Sequence, residues 1–289
     1  MAPPPPRRLG TPSGGPEGDH REEWGWKPHT PAEKSGSLYD GFMSVGRRFD
    51  AVICDIDGCL GPESAAPFDT PLLLKVAEHN IAAATKGDRP VLTVCSGRPQ
   101  PFAEAMCRFL ANASLPCVAE NGVWLYDPRT NRFIIDPAIT AEDRKAVREA
   151  TAWIERELLP SGVIIQPGKT ASISLWHPDT KYLMGLMPSI RERFASEGWK
   201  IRVSNTVAWI NCDLEHVSKG SGIRRLVELC GLSRERLAGI GDQLSDMAIR
   251  ENVAFFGCPS NADPALAAKA DFVSKEAEVR GVLDILARV

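Results

Sequence analysis

The chain has 289 residues, enough for one large domain or two ordinary ones, with the composition of a soluble globular protein. Lysine and arginine (34) nearly balance aspartate and glutamate (37), so the net charge of −3 argues against a nucleic-acid-binding protein. No apolar run approaches the roughly 18 residues that a membrane-spanning helix needs, and we expect no secretory signal.

The eight cysteines include no Cys-x-x-Cys pair, and several lie in apolar runs, such as those around Cys54 and Cys95. Four disulfides are one interpretation of this even number. Because the chain is long and no export signal is expected, we favour reduced, buried thiols in a cytoplasmic protein. A zinc site is not expected.

Residues 1–47 differ from the rest of the chain. They are rich in proline and glycine and poor in apolar side chains, so they cannot bury enough surface to offset the entropy of ordering. We predict a disordered tail, in which Trp24 and Trp26 are either a weak docking point or without a role.

Strand-like and helical patterns alternate after the tail. Thr70 and Pro71 favour a helix start, with Thr70 as the N-cap and Pro71 at the first helical position. The predicted strands cover 49–56, 90–95 and 115–119, and the predicted helices cover 70–81 and 101–111. This alternation is typical of a parallel sheet with helices on both faces.

The middle of the chain has a different order of predicted helices and strands. A turn at 127–131 predicts a hairpin, and a capping box at Thr140 and Asp143 predicts a helix to about residue 158. Strands at 162–166 and 171–176, a helix at 179–197, and strands at 199–203 and 206–212 follow. The helix–strand–strand unit thus occurs twice, which indicates an inserted α+β domain with an antiparallel sheet.

The last third returns to alternating helices and strands. Helices are predicted at 218–230, 243–251, 264–270 and 281–289, and strands at 237–241, 253–256 and 271–273. We therefore predict an α/β fold with a doubly wound, Rossmann-like parallel sheet. Its core comprises 48–126 and 212–289, and the inserted cap domain comprises 127–211.

Polar residues follow the predicted core strands, where ligands bind in open α/β sheets. They are Asp55, Asp57 and Gly58 after the first strand, Ser96, Gly97 and Arg98 after the second, Glu120 and Asn121 after the third, and Asp242 and Asp246 after the strand at 237–241, with Lys219 at the start of a helix. Each motif alone has a simpler interpretation, such as a turn or a solvated lysine. Together they predict one active site.

This set of residues suits phosphoryl transfer. Three carboxylates at one point are hard oxygen ligands for Mg²⁺, and an aspartate beside that cation can attack phosphorus to form an aspartyl-phosphate. Ser96, Lys219 and free backbone amides can hold the phosphoryl oxygens, and Asp57 can give and take the proton.

The motifs, in this order, resemble those of the haloacid dehalogenase superfamily over residues 49–289. The resemblance implies that Asp55 is the nucleophile and Asp57 the general acid/base, with Ser96 and Lys219 as catalytic partners. It implies a Mg²⁺ site formed by Asp55, Asp57 (through its backbone carbonyl), Asp242 and Asp246. We expect the substrate to contact Gly58, Gly97, Arg98, Glu120, Asn121 and Asn261.

The insert is similar to the type 2B cap of sugar-phosphate phosphatases and archaeal-type phosphoglycolate phosphatases. The implied function is a phosphatase for one of these small metabolites, with a phosphomutase or a non-catalytic, phosphoryl-accepting signalling protein as alternatives. Two residues depart from the family pattern: Cys59 replaces the usual Thr, and Ser245 replaces a common Asn. In the cap, Lys169, Trp176, His177 and Arg202 are candidate substrate contacts or ordinary surface and core residues.

Overall fold

The computed structural model describes residues 47–289. The predicted tail, with Trp24 and Trp26, lies outside these residues except at its last position. The strands are β1 Ala51–Cys54, β2 Val91–Val94, β3 Cys117–Ala119, β4 Trp124–Asp127, β5 Arg132–Ile135, β6 Ile164–Ile165, β7 Ser172–Trp176, β8 Ile201–Asn205, β9 Trp209–Leu214, β10 Leu237–Ile240, β11 Phe255–Cys258 and β12 Phe272–Val273. The helices are α1 Thr70–Lys86, α2 Gln100–Phe109, α3 Ala141–Glu157, α4 Thr180–Gly185, α5 Met187–Ser196, α6 Lys219–Cys230, α7 Met247–Arg250, α8 Pro264–Ala267 and α9 Glu278–Leu286.

A five-stranded parallel sheet in the order β12-β11-β10-β1-β2 forms the core, which confirms the predicted fold class. Side chains of β1 alternate between two hydrophobic clusters. Val52 and Cys54 pack in one cluster with α1, α2 and α9, whereas Ala51 and Ile53 pack in the other with α6, α7 and α8. The sheet is therefore buried on both faces, as its uninterrupted apolar strands predict.

The strand predicted at 115–119 is present as β3, but it is not a full member of the parallel sheet. β3 pairs antiparallel with β4, and β4 pairs with β5, in a separate three-stranded sheet. β3 still lies beside the end of β2, where Cys95 and Val118 form a parallel bridge and the Ser96 amide donates to the Val118 carbonyl. The backbone after β3 has positive φ at Glu120, Asn121 and Gly122, which turns the chain back into the hairpin.

Three helix predictions also need correction. The N-cap of α1 is Asp69, whose side chain accepts a hydrogen bond from the Leu72 amide, so Thr70 is already helical. The helix predicted at 179–197 is two helices, because Pro188 in the first turn of α5 cannot continue the hydrogen bonding of α4. The helix predicted at 243–251 begins with a 3₁₀ turn at Leu244–Asp246.

A four-stranded antiparallel sheet in the order β6-β7-β9-β8, here called the cap sheet, lies apart from the core sheet. One face packs against α3 and α5 in a third hydrophobic cluster. The predicted capping box of Thr140 and Asp143 is present at the start of α3. The predicted limits of the insert, 127 and 211, stay a prediction; β9 itself runs on to Leu214.

All eight cysteines lie in the described part of the chain, where they are buried and free of disulfides, as predicted. Within residues 47–289, no helix combines the length and apolar character that crossing a bilayer requires.

Candidate active site

Neighbouring strands of the core sheet end side by side at the candidate active site. β1 pairs in parallel register with β2 on one side and with β10 on the other. Asp55 directly follows β1, Ser96 follows β2, and Asp242 follows β10. Because parallel strands end at one edge, the structure brings these residues together, as the sequence predicts.

Lys219 is buried between two carboxylates rather than solvated. It begins α6, whose start is fixed by a capping box between Ser218 and Ser221. Its Nζ lies 2.8 Å from Asp55 Oδ2 and 2.7 Å from Asp246 Oδ1. The ammonium therefore joins two motifs that are far apart in sequence.

Asp55, Asp242 and Asp246 form a buried acidic cluster, with one oxygen from each within 4.8 Å of the others. The two oxygens of Asp246 are both engaged. Oδ1 accepts from Lys219, and Oδ2 accepts from the backbone amides of Asp242 and Gln243, each at 3.0 Å. These contacts explain the 3₁₀ turn, because the side chain of Asp246 fixes the loop that carries Asp242.

This cluster has more negative than positive charge. Burial raises the pKa of Asp55 well above its ordinary value; Lys219 opposes this shift, and Asp246 and Asp242 add to it. Burial and Asp246 raise the pKa of Asp242 to about 6. Burial works against a charged Lys219, yet Asp246 and Asp55 outweigh it and hold the pKa of Lys219 well above its usual range. Three carboxylates thus face one ammonium, and their oxygens are the donors that a divalent cation prefers.

Asp57 stands outside the acidic cluster. Arg98 clamps its carboxylate with two hydrogen bonds, from Nε at 2.8 Å and from Nη2 at 2.5 Å. Ser96 Oγ accepts from the Arg98 amide at 3.1 Å, and the Arg98 guanidinium lies 5.0 Å from the centre of the Phe102 ring. The charge-assisted pair holds both side chains at the wall of a cavity.

The cavity has a volume of about 460 Å³, within the usual range of small-molecule sites. Its wall comes from the core and from the cap sheet. The core residues are Asp55, Asp57, Glu63, Ser96, Gly97, Arg98, Asn121, Ser218, Lys219, Gln243, Leu244, Ser245 and Ala248; the others are Gln166, Lys169, Ser174, Arg202, Ser204, Asn205, Thr206, Trp209, Asn211 and Asp213.

The cap sheet turns a polar face to this cavity. In register, Ser174 of β7, Asn211 of β9 and Ser204 of β8 form one row across three strands. Ser174 Oγ donates to Asn211 Oδ1 at 2.5 Å. The intervening residues, such as Ile173 and Ile210, point the other way into the hydrophobic cluster. The period of two thus divides the sheet into a packing face and a face for ligands.

Glu120 is fully buried and does not line the cavity. Its carboxylate accepts hydrogen bonds from the amides of Thr170 and Ala171, both at 2.7 Å, and from the hydroxyls of Thr170 and Ser172. The next residue, Asn121, lines the cavity and donates to Asp213. Glu120 therefore joins the core to the start of β7.

Gly58 and Asn261 also lie outside the cavity wall. Gly58 has a φ of +77°, and a Cβ there would lie 2.0 Å from Asp242 Oδ2, so only glycine fits against this carboxylate. Asn261 Nδ2 donates to the carbonyl of Gly58 at 2.9 Å. The structure thus places both residues behind the acidic cluster rather than beside a substrate.

Sequence reasoning missed part of the cavity. Glu63, in the loop after β1, and Asn211 line it, and the alternation of polar with apolar residues along β9 could have identified Asn211. No comparable pattern marks Glu63. Of the four cap candidates, Lys169 and Arg202 line the cavity, whereas Trp176 and His177 do not.

The two departures from the family pattern lie at this site. Cys59 is buried, and its thiol lies 3.7 Å from Asp242 Oδ1, so it provides a weak donor where a hydroxyl is usual. Ser245 lines the cavity beside the acidic loop.

A family model of haloacid dehalogenase-like hydrolases matches residues 189–286, which include Lys219, Asp242 and Asp246. The chain also resembles the phosphoglycolate phosphatase of Methanothermobacter thermautotrophicus, with 31% identity over 102 residues. That match covers 35% of this chain but only 46% of the relative's own length.

Two further similarities span more of the chain. The phosphoglycolate phosphatase of Halorubrum lacusprofundi is 27% identical over 203 residues, which cover 69% of this chain and 83% of the relative. The solved structure of the Synechocystis sucrose-phosphatase, in complex with sucrose and phosphate, superposes with a TM-score of 0.59 at 15% identity. It covers 84% of this chain and 98% of that one, and this likeness concerns the fold.

Proposed function

We propose, since this chain belongs to the haloacid dehalogenase-like hydrolases, that it is a Mg²⁺-dependent phosphatase of a small phosphorylated metabolite, a sugar phosphate or phosphoglycolate. One observation carries the proposal. The Asp55 carboxylate lies at the wall of the cavity, beside Lys219 and within the buried acidic cluster. A carboxylate in that setting is a nucleophile for phosphorus.

Asp55 and Asp242 are the residues that best fit a cation, because Asp246 accepts from three donors, Lys219 and two backbone amides, whereas Asp55 and Asp242 each accept from two. Asp246 then fixes the loop and Lys219, and the Asp57 contribution implied by the resemblance comes from its backbone carbonyl. When bound, the cation neutralises charge on the phosphoryl group and on the carboxylates.

In the proposed reaction, an Asp55 oxygen bonds to phosphorus as the bond from phosphorus to the leaving oxygen breaks. Asp57 gives that oxygen a proton, which requires Arg98 to release one of the two oxygens that it holds. Water then attacks the aspartyl-phosphate while Asp57 takes up a proton, which frees phosphate and restores the Asp55 carboxylate.

The phosphoryl oxygens are held by Lys219, the Ser96 hydroxyl and the amides of the loop at Gly97. All three residues line the cavity, and Ser96 is buried. Donors fixed in place before the reaction stabilise charge on the phosphoryl group without reorganising. The cap sheet covers the cavity and restricts both water and the size of the substrate.

A phosphate-release screen tests this function. Purified protein with Mg²⁺ is supplied with a panel of phosphorylated sugars, hydroxy acids and one aryl phosphate, and free phosphate is measured. Release above that of the Asp55→Asn variant supports a phosphatase. Isomerised sugar phosphate without free phosphate indicates a phosphomutase, and no change in any compound contradicts both enzyme classes.

A further inference from the structure

Most charged side chains in the cavity wall are paired with one another. The pairs are Lys219 with Asp55, Arg98 with Asp57, and Arg202 with Asp213, the last at 4.0 Å. Among the described residues of the wall, two charged side chains have no ion-pair partner, and they are Lys169 and Glu63. A substrate meets these two as charges that the protein itself leaves uncompensated.

Lys169 contacts a neutral partner. Its Nζ donates to Ser174 Oγ at 2.5 Å, and no described carboxylate lies within ion-pair distance. Burial lowers the pKa of Lys169 from its ordinary value, although Asp213 and Glu120 act in the opposite direction. The protein thus holds a partly desolvated ammonium without the anion that would stabilise it.

The two carboxylates that most affect the pKa of Lys169 already accept hydrogen bonds from other residues. Glu120 accepts four hydrogen bonds from residues 170–172, and Asp213 accepts two from Asn121. Turning either towards Lys169 would break hydrogen bonds with half-buried or buried donors, which is costly. An anion for Lys169 must therefore come from outside the protein.

The segment that carries Lys169 is held in place on both sides. Thr170 is fixed by Glu120 and by a hydrogen bond of 2.8 Å from the Trp124 indole. Gly168, with a φ of +88°, lies near Pro99, which follows the Ser96–Arg98 loop of the core; a Cβ at Gly168 would be 3.4 Å from the Pro99 Cβ. Lys169 is thus fixed over the cavity before any ligand binds, which lowers the cost of ordering it on binding.

Glu63 lies towards the reacting end of the cavity. Burial, Asp57 and Asp242 raise its pKa to about 7. The carboxylates of Asp57 and Asp242 near this end disfavour a second negative group of the substrate there, whether or not Glu63 itself is ionised. Lys169, whose pKa is instead influenced by Asp213 and Glu120 of the junction with the cap sheet, marks the end that accepts such a group.

We infer that Lys169 binds a second acidic group on the substrate, so the substrate is a small phosphate monoester that also bears a carboxylate, rather than a neutral sugar phosphate. This inference rests on the proposed phosphatase function. It makes Lys169 the specificity-determining residue of the cap, with Glu120 as a positioning residue behind it.

Two phosphate esters of nearly equal size test the inference: phosphoglycolate, which has the carboxylate, and hydroxyethyl phosphate, which has a neutral hydroxyl in its place. The wild-type protein should favour phosphoglycolate in kcat/KM. Lys169→Met should lower kcat/KM for phosphoglycolate by roughly 10- to 100-fold, the usual worth of a charged hydrogen bond, and bring the ratio between the two esters close to one.

Two further variants make the result specific. Lys169→Arg, which keeps the charge, should retain most of the preference. Lys181→Met, a matched change at an exposed lysine of α4, should keep the wild-type ratio. Folding of each variant is checked by its melting temperature.

An aryl phosphate, which lacks a carboxylate, distinguishes failure of the inference about Lys169 from failure of the proposed phosphatase function. If wild-type protein releases phosphate from the aryl compound but shows no preference for phosphoglycolate, or if Lys169→Met keeps that preference, the inference is wrong and the phosphatase function stands. If wild-type protein releases phosphate from none of the three compounds, both are overturned.

Discussion

The two walls of the cavity differ in how their charges are satisfied. On the core wall, the carboxylates of Asp55 and Asp57 each pair with a basic side chain, and Lys219 is held by two carboxylates. On the wall formed by the cap sheet, Ser174 in a row of serine and asparagine side chains accepts a hydrogen bond from Lys169, which has no ion-pair partner among residues 47–289. Apart from Glu63 and the surplus carboxylate of the acidic cluster, the charges of the core wall are paired within the protein, whereas that of Lys169 is not.

This contrast separates the residues that we propose react from the residue that we propose selects the substrate. Groups that react must be held in fixed protonation states and positions, which the strand ends, the helix start and the paired charges of the core provide. Groups that select a substrate gain specificity when the wrong ligand leaves a buried charge unsatisfied. The five predictions that follow test this division, from the largest expected effect to the smallest.

Replacing the nucleophile is the strongest test of the core wall. Asp55→Asn removes the charged oxygen that we propose attacks phosphorus, so turnover should fall on the order of 10⁴-fold or more. No covalent phospho-enzyme should form on rapid acid quench with a labelled substrate. A phospho-enzyme trapped in this variant would show that another residue is the nucleophile.

Removing divalent cations should abolish turnover, because the surplus charge of the acidic cluster is then uncompensated. Binding can be followed without activity. Mg²⁺ should raise the melting temperature of the wild-type protein, since a ligand bound only by the folded state stabilises it. The shift should disappear in Asp242→Asn, and full turnover after exhaustive chelation would refute the metal site.

Asp57→Asn tests proton transfer apart from nucleophilic attack. We expect single-turnover rates with a sugar phosphate or phosphoglycolate to fall by roughly 10²- to 10⁴-fold. An aryl phosphate, whose leaving group needs no proton, should lose much less in the first step. Equal losses with both kinds of ester would contradict the assignment of Asp57 as general acid.

Glu120→Gln tests the junction between the two walls. The change puts an amide donor where the buried carboxylate only accepts, so we expect the free energy of unfolding to fall by about 1–3 kcal/mol in urea titrations. Preference for a carboxylate-bearing ester should fall as Lys169 loses its fixed position. Glu149→Gln, on the exposed side of α3, is the control and should change stability by less than about 0.5 kcal/mol.

The smallest effect concerns pH. Because burial lowers the pKa of Lys169 against Asp213 and Glu120, its charge should be lost below the ordinary lysine value of 10.5, with Arg98 and Cys212 as the other titratable groups nearby. The preference for phosphoglycolate over hydroxyethyl phosphate should therefore decline as the pH rises towards 10.5. Lys169→Arg should keep a flat profile, and an equal decline in that variant would assign the effect to another group.

The core could be predicted because local patterns along the sequence are enough to identify its strands. Buried, β-branched runs identify β1, β2 and β10, and parallel topology then brings Asp55, Ser96 and Asp242 to one edge without any knowledge of side-chain contacts. The pairing of Arg98 with Asp57 was not predicted, since it depends on rotamers and on a loop conformation that no spacing encodes.

Elsewhere, tertiary context overrode local pattern. β3 makes one parallel bridge beside β2, yet the positive φ angles at Glu120 and Asn121 turn the chain back, so β3 pairs along its length with β4 in an antiparallel hairpin. Lys169 was only one of four candidates in the cap, because the contacts that hold its neighbours, from Glu120 to Thr170 and from Pro99 to Gly168, join parts of the chain that are far apart in sequence.

The hydrogen bond between Asn121 and Asp213 joins two residues that are 92 positions apart and flank the predicted insert. The chain thus leaves the core and returns to it at nearly the same point. Closing such a gap takes only a short turn, of about two to five residues, and the entropic cost of a longer connection grows slowly. The insert is therefore attached to the core at a single junction, which suits replacement of the whole insert. Related caps could be grafted at this one junction, and selectivity re-engineered there, while the strands that carry Asp55 and Asp242 keep their register.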